Sequence, residues 1–188
     1  MFNKLSDWFN HISNGIVTLI CQVIFIIFII FVLPDQSAKA ALYSGDAGSP
    51  DTSFFYAAAD LYRIAEVYGA DGRQAYIRAR FTFDLVWPLV YLAFLATLIS
   101  WLNKRLNLPG KLWKRLNLVP VLGVLLDLSE NISASIVMAR YPDPSNFFAH
   151  LAPVFTFLKW GVIVSSITLI PFGFLLVIFY SIRSRIKH

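Results

Sequence analysis

A run of polar side chains interrupts a long apolar stretch in the middle of the chain. Between Leu118 and Met138 the sequence places Asp127, Glu130 and Asn131, whose helical spacing puts all three on one face. A charge at the centre of a bilayer costs roughly 2.5–3.5 kcal/mol on insertion scales, so such acids normally face a protein interior. This group can fix helix packing through ion pairs, bind the polar head of a lipid or other amphiphile, or carry protons or ions.

Lys159 is the expected partner of these acids. At a rise of 1.5 Å per residue, Glu130 lies about 12 Å below an outer edge near Met138, and Lys159 lies at a similar depth in the next apolar stretch. Pairing at matched depth removes most of the penalty of burying either charge alone. We therefore predict that Lys159 contacts Glu130 or Asp127. One lysine cannot neutralise several acids, so a protonated acid, water or Arg80 must also contribute.

A second polar stripe lies upstream, at spacings of three and four residues along one predicted helix. Its members are Arg73, Tyr76, Arg80, Asp84, Pro88 and Tyr91. Arg80 and Asp84 are spaced to pair, which either neutralises Asp84 at the membrane interface or leaves it at the mouth of a pocket. Pro88 frees the carbonyl of Asp84 from its usual helical bond. The predicted intramembrane cluster is Asp84, Tyr91, Asp127, Glu130, Asn131 and Lys159, with Arg73, Tyr76 and Arg80 on its outer flank.

The elements that position these residues are long and apolar. The chain has 188 residues, 57% of them hydrophobic, and four stretches long enough to cross a bilayer. This predicts an all-α integral membrane protein, a four-helix bundle formed by one domain over residues 1–188. The predicted spans are residues 15–33, 80–101, 118–138 and 152–182.

Basic residues set the predicted orientation. They cluster between the second and third spans, after the fourth span and before the first. By the positive-inside rule, both termini and the basic loop at 102–117 are cytoplasmic, and the loop at 34–79 is external. The basic loop is expected to rest on anionic lipids of the inner leaflet.

The external segment contains an amphipathic helix. Residues 34–50 are rich in Ala, Gly, Ser, Asp and Pro and predict an irregular loop. Asp51 or Ser53 is expected to cap a helix that ends at Gly69. The next helix is expected to begin at Asp71 and to continue unbroken to Pro88.

Catalytic signatures are missing from the sequence. It contains no recognised hydrolase, metalloprotease or nucleotide-binding motif. Its single cysteine is Cys21, and no other histidine lies at metal-ligand spacing from His150. We predict no metal and no cofactor, and the small basic surface beside a membrane argues against nucleic acid. The preferred function is a non-enzymatic accessory or scaffolding subunit that packs against another integral membrane protein. The alternative is a lipid- or amphiphile-binding protein that uses the buried acidic pocket.

Three motifs between roughly residues 69 and 160 resemble those of an uncharacterised bacterial family of four-helix membrane proteins. They are Gly72-Arg73-x-x-Tyr76, Phe81-Thr82-Phe83-Asp84-x-x-Trp87-Pro88-x-x-Tyr91 and Asp127-x-x-Glu130-Asn131. The resemblance implies a multi-pass protein of the bacterial cytoplasmic membrane and no particular activity. The architecture also loosely resembles the sterol-isomerase and sigma-2-receptor superfamily, but the paired histidine and glutamate pattern of its isomerases is not found here.

Overall fold

The computed structural model describes residues 2–107 and 110–186, and within these ranges the chain forms helices and no strand. The all-α prediction is confirmed. The helices are α1 (Phe2–Ile12), α2 (Gly15–Ile27), α3 (Leu33–Ser44), α4 (Ala58–Arg80), α5 (Phe83–Leu106), α6 (Lys111–Lys114), α7 (Val119–Arg140) and α8 (Asn146–Ile186). Short 3₁₀ turns occupy Gly45–Ala47, Pro50–Thr52 and Leu116–Leu118.

Four stretches of helix in the described ranges are long and apolar enough to cross a membrane, which agrees with a multi-pass membrane protein. They are Gly15–Ala47, Ala58–Leu106, Leu112–Arg140 and Asn146–Arg183. The number of spans is as predicted, but each helical stretch extends beyond the predicted span. Several of the polar residues described below lie in the parts of these helices that extend beyond the predicted spans.

The irregular loop predicted from residue 34 is wrong, because the first helical stretch continues past Pro34. A π-helical turn at Phe28–Val32 precedes α3, and Pro34 occupies the first turn of α3. Proline is tolerated there because the amide of a first-turn residue needs no helical partner. Lys39 and Asp35 then pair at 2.7 Å across one turn of α3. Helix therefore extends to Ser44.

The predicted boundaries around α4 are partly wrong. α4 begins at Ala58 rather than at Asp51 or Ser53, and its first turn is closed by the Asp60 carboxylate, which accepts from the Ala57 amide at 2.8 Å. The break at Gly69 is present, with φ of 61°. The helix predicted to run unbroken to Pro88 is instead interrupted at Phe81 and Thr82, between α4 and α5. There the Thr82 hydroxyl donates to the Arg78 carbonyl at 2.7 Å.

The chain divides into two compact units of different charge. The first unit comprises Met1–Phe25, Val90–Leu122 and Val162–His188, and the second comprises Ile26–Leu89 and Gly123–Gly161. The first contains nine Lys and Arg residues and one acid, a net +8. The second contains seven Lys and Arg residues and ten acids, a net −3. The overall charge of +5 thus hides two units of opposite sign.

A buried amide ties the N-terminal helix into the first unit. Asn117 is fully buried, and its Nδ2 donates to the Ser6 carbonyl at 3.1 Å and to the Ser100 hydroxyl at 2.9 Å. The Ser6 hydroxyl lies 2.9 Å from Asn117 Oδ1 and 2.8 Å from the Lys114 carbonyl, sharing its hydrogen between them. One side chain therefore connects α1, α5 and the turn before α7.

We expect Asn117→Ala to release α1 from the first unit. The variant loses three hydrogen bonds, each worth about 0.5–1.5 kcal/mol, and leaves Ser6 and Ser100 without this partner. Hydrogen exchange of the amides of residues 2–12 should accelerate by at least tenfold. Asn3→Ala, at an exposed position of the same helix, is the control and should leave that exchange unchanged. Equal exchange in the two variants would contradict this role of Asn117.

The second unit has an apolar core beside its polar residues. Buried side chains from α4, α7 and α8 form it: Leu61, Ile64, Ala65, Tyr68, Tyr76, Ala134, Val137, Met138, Ala149 and Ala152. α3 packs closely on α4 at Gly72, where an added Cβ would lie 3.0 Å from Cβ of Tyr43 and 3.1 Å from Cβ of Tyr68. A close helix contact thus explains the glycine of the first motif.

Candidate functional site

Arg80 joins two carboxylates of the second unit. At the end of α4, its Nε lies 2.7 Å from Oδ2 of Asp84 on α5, and its Nη1 contacts Oδ2 of Asp51. The guanidinium carbon also stacks over the Tyr76 ring, 4.6 Å from the ring centre. All of these groups are buried or largely so. The predicted Arg80–Asp84 pair is therefore present, as part of a larger group.

Lys159 joins two more carboxylates. From α8, its Nζ lies 2.5 Å from Oε2 of Glu130 and 3.3 Å from Oδ1 of Asp127, both on α7. The exposed fraction of the three side chains is 6% for Lys159, 0% for Glu130 and 10% for Asp127. The prediction that Lys159 contacts these acids is confirmed.

The two ion groups interact as one network. Asp51 interacts electrostatically with Lys159 as well as with Arg80, and Asp84 interacts with Asp127. We call the set Asp51, Arg80, Asp84, Asp127, Glu130 and Lys159 the acidic network. It holds four carboxylates and two cations whose side chains are largely buried, so the acids outnumber their internal counter-charges.

Asp51 reaches the network from outside the spans. Burial raises the pKa of its carboxyl, but the charges of Arg80 and Lys159 and a hydrogen bond from Ser49 lower that pKa further, and the result is below the usual value. Asp51 is thus ionised at neutral pH and acts as the counter-ion of Arg80.

Tyr56 adds a hydroxyl next to the acids. Its oxygen lies 3.1 Å from the Thr156 hydroxyl on α8, which in turn donates to the Ala152 carbonyl at 2.9 Å. Burial, followed by the negative charge of Glu130, raises the pKa of Tyr56 above its usual value. The Tyr56 hydroxyl therefore stays protonated and donates to the Thr156 oxygen, since the Thr156 hydrogen is used on the Ala152 carbonyl.

Two buried polar groups beside the network keep unused hydrogen-bonding capacity. Neither the Asn131 amide nor the Tyr76 hydroxyl finds a hydrogen-bond partner among the described residues, although the side chains are 1% and 0% exposed. Buried polar groups are almost always hydrogen-bonded because leaving one unmade costs about 1–3 kcal/mol. The Tyr76 hydroxyl lies within electrostatic range of Asp51, Arg80 and Glu130. Both groups thus have hydrogen-bonding capacity that no described residue uses.

An aromatic rim borders the Lys159 side of the network. The segment before α4 runs along α8, placing the Phe54 ring 4.9 Å from that of Trp160 and the Phe55 ring 5.3 Å from that of Phe157. Lys159 Nζ lies 5.8 Å from the Trp160 ring centre. Phe54 and Phe55 are 52% and 78% exposed. An apolar surface thus adjoins buried charges, an arrangement suited to an amphiphile.

Most of the predicted residues meet here. Arg73 makes other contacts: it donates to the Ala65 carbonyl at 2.9 Å and stacks 4.8 Å from the Tyr141 ring centre. Tyr91 is buried but belongs to the first unit. Asp51, Tyr56 and Thr156 were missed. Asp51 lies in a Pro- and Gly-rich stretch and was predicted to cap a helix. No spacing in the sequence relates it to Arg80.

No family model, curated protein or solved structure matches this chain. The suggested family resemblance therefore stays a prediction, and the chemistry of the site must be argued from its own residues. Within the described ranges, no group of three or more histidine, cysteine or acidic residues is arranged to hold a metal ion. The acids of the network are instead distributed around Arg80 and Lys159. The site offers carboxylates, hydroxyls and an amide for binding.

Proposed function

We propose that this membrane protein binds a lipid or other amphiphile whose polar head is positively charged and enters the acidic network. The supporting observation is the charge imbalance of the network, in which four carboxylates face two cations. The ligand head supplies positive charge and hydrogen-bond donors, and no bond is made or broken.

The charge imbalance favours a cationic head for a physical reason. With all four acids ionised, Arg80 and Lys159 balance the charge of only two, and an uncompensated buried charge is far less stable than a paired one. A ligand amine compensates that charge directly. The Asn131 amide and Tyr76 hydroxyl provide additional acceptors for its N–H groups.

The aromatic rim favours an amphiphile over a fully polar ligand. Phe54 and Phe55 present exposed rings next to Lys159 and Trp160. Aromatic and aliphatic surface removed from water contributes about 25 cal/mol per Å² to binding. An alkyl chain can therefore lie on the rim while its head reaches the carboxylates.

An accessory role in a larger complex is the second candidate, favoured by a different observation. The most apolar windows of the first and fourth spans are only 6% and 11% buried, against 50% and 56% for the second and third. Their exposed faces offer large contact surfaces to another integral membrane protein. Such a partner can coexist with ligand binding.

We expect the purified protein to prefer dodecylamine over dodecanol, which has the same chain and no charge. Each ligand is titrated into the protein in dodecyl maltoside, and isothermal titration calorimetry measures the dissociation constant. The amine should bind at least tenfold more tightly than the alcohol. Glu130→Gln should weaken the preference, because it removes one of the two carboxylates in excess of the cations while Lys159 keeps Asp127. Glu66→Gln, at an exposed position of α4, is the matched control and should bind like the original protein.

Equal affinity for the two ligands would contradict the binding proposal. Native mass spectrometry of the protein extracted from its membrane separates the two candidates. Lipid adducts on a chain without partner subunits support binding. A stoichiometric partner protein together with equal affinity for amine and alcohol supports the accessory role instead.

A further inference from the structure

We propose a second lipid site, in the first unit, that holds an anionic phospholipid of the bilayer. An apolar groove between α5, α6 and α8 takes an acyl chain, and the exposed cations Arg105, Lys114 and Arg115 hold the phosphate. This site is built from different residues than the acidic network and does not depend on the function proposed for that network.

The groove has walls from three helices. Its lining includes Leu102, Leu106, Trp113, Leu116, Leu169 and Leu176. Gly173 brings α8 close to α5 at its floor, since an added Cβ there would lie 2.9 Å from Leu102 Cδ1. Asn103 Nδ2 donates to the Trp113 carbonyl at 2.9 Å and so fixes α6 against α5. The groove is thus a built feature of the unit.

Basic residues are close in sequence to the residues that line this groove. Arg105 lies two positions after Asn103, and Lys114 and Arg115 lie between the lining residues Trp113 and Leu116. All three cations are exposed, and the described residues give none of them a carboxylate partner. The first unit as a whole contains one acid, Asp7. These side chains are therefore not paired with a carboxylate of the described residues and can hold an anion.

The position of the aromatic residues matches a phospholipid rather than a soluble anion. The Arg105 guanidinium stacks 5.0 Å from the Trp101 ring centre, and Trp101 packs against Phe174 of α8 at 6.2 Å. Leu112 and Trp113 are exposed next to the basic residues. Tryptophan and arginine side by side are typical of the headgroup level, where one ligand needs both an apolar and a phosphate contact.

Native mass spectrometry with added lipids tests the charge of the occupant. The protein is titrated with dioleoyl phosphatidylglycerol or dioleoyl phosphatidylcholine, whose acyl chains are identical. We expect at least fivefold stronger retention of the glycerol lipid. Replacing Arg105, Lys114 and Arg115 together with Gln should reduce this ratio to near one. The control replaces three exposed cations of the second unit with Gln, namely Lys39, Arg63 and Arg78, and should keep the ratio.

Fluorescence quenching tests the place of the acyl chain. Dibrominated phosphatidylglycerol should quench Trp113 in the original protein, and Trp113→Phe should lose that part of the quenching. Equal retention of the two lipids, an equal loss in the control variant, or quenching unaffected by Trp113→Phe would each overturn the proposal.

Discussion

Lys159→Met is expected to destabilise the protein by about 3–5 kcal/mol, because it leaves Glu130 and Asp127 buried without their cation. Methionine matches lysine in length and packs well in apolar surroundings, so the loss reflects the charge rather than a cavity. Equilibrium unfolding in mixed micelles of dodecyl maltoside and SDS, followed by circular dichroism, measures the change in the free energy of unfolding.

Lys39→Met is the matched control. Lys39 also pairs with an aspartate, Asp35 at 2.7 Å, but the side chains are 61% and 57% exposed. Exposed ion pairs contribute little to stability because water solvates both charges after the pair is broken. Equal destabilisation by Lys159→Met and Lys39→Met would show that burial gives the Lys159 contacts no special importance.

A triple variant separates lost charge from lost packing. Combining Lys159→Met with Glu130→Gln and Asp127→Asn removes the stranded charges and retains similar side-chain volumes. We expect the triple variant to recover most of the stability lost in Lys159→Met, since neutral replacement of a buried ionic group is often tolerated. Failure to recover would point to packing of Lys159 as the origin of the loss.

The contacts of Lys159 and Arg80 were predictable because helix geometry restricts where charges can meet. Asp127 and Glu130 share a helix face, and a lysine at the same estimated depth was available on the next span. Arg80 and Asp84 are four residues apart, and they pair across the short interruption between α4 and α5. A charge buried in an apolar span needs an oppositely charged partner, and few residues of this sequence can supply one. The partners could therefore be predicted from the sequence.

Asp51 could not be placed in the same way, because no periodicity relates it to α4. Its segment lies in a stretch of short 3₁₀ turns, and the contact with Arg80 joins residues 29 positions apart.

The continuation of the helix past Pro34 was not predicted for another reason. A π-helical turn at Phe28–Val32 shifts the helical register of the residues that follow. An isoleucine- and phenylalanine-rich sequence contains no signal that predicts such a turn.

Arg80→Gln is expected to be comparably destabilising, by about 3–5 kcal/mol, because Asp51 and Asp84 both lose their cation. The effect should also be local. Asp51 lies in the 3₁₀ turn Pro50–Thr52, so Arg80 holds this segment against the end of α4. Hydrogen exchange of residues 45–57 should accelerate in the variant more than that of the apolar core of the second unit.

Two further variants decide whether geometry or charge alone makes Arg80 necessary. Arg80→Lys retains the charge but replaces the fork, whose Nε and Nη1 reach different carboxylates, with a single ammonium. We expect an intermediate loss of stability and faster exchange at residues 45–57. Arg78→Gln, exposed on the same turn of α4, should change neither. If Arg80→Lys behaves like the original protein, a point charge suffices and the bridging geometry of the guanidinium is not required.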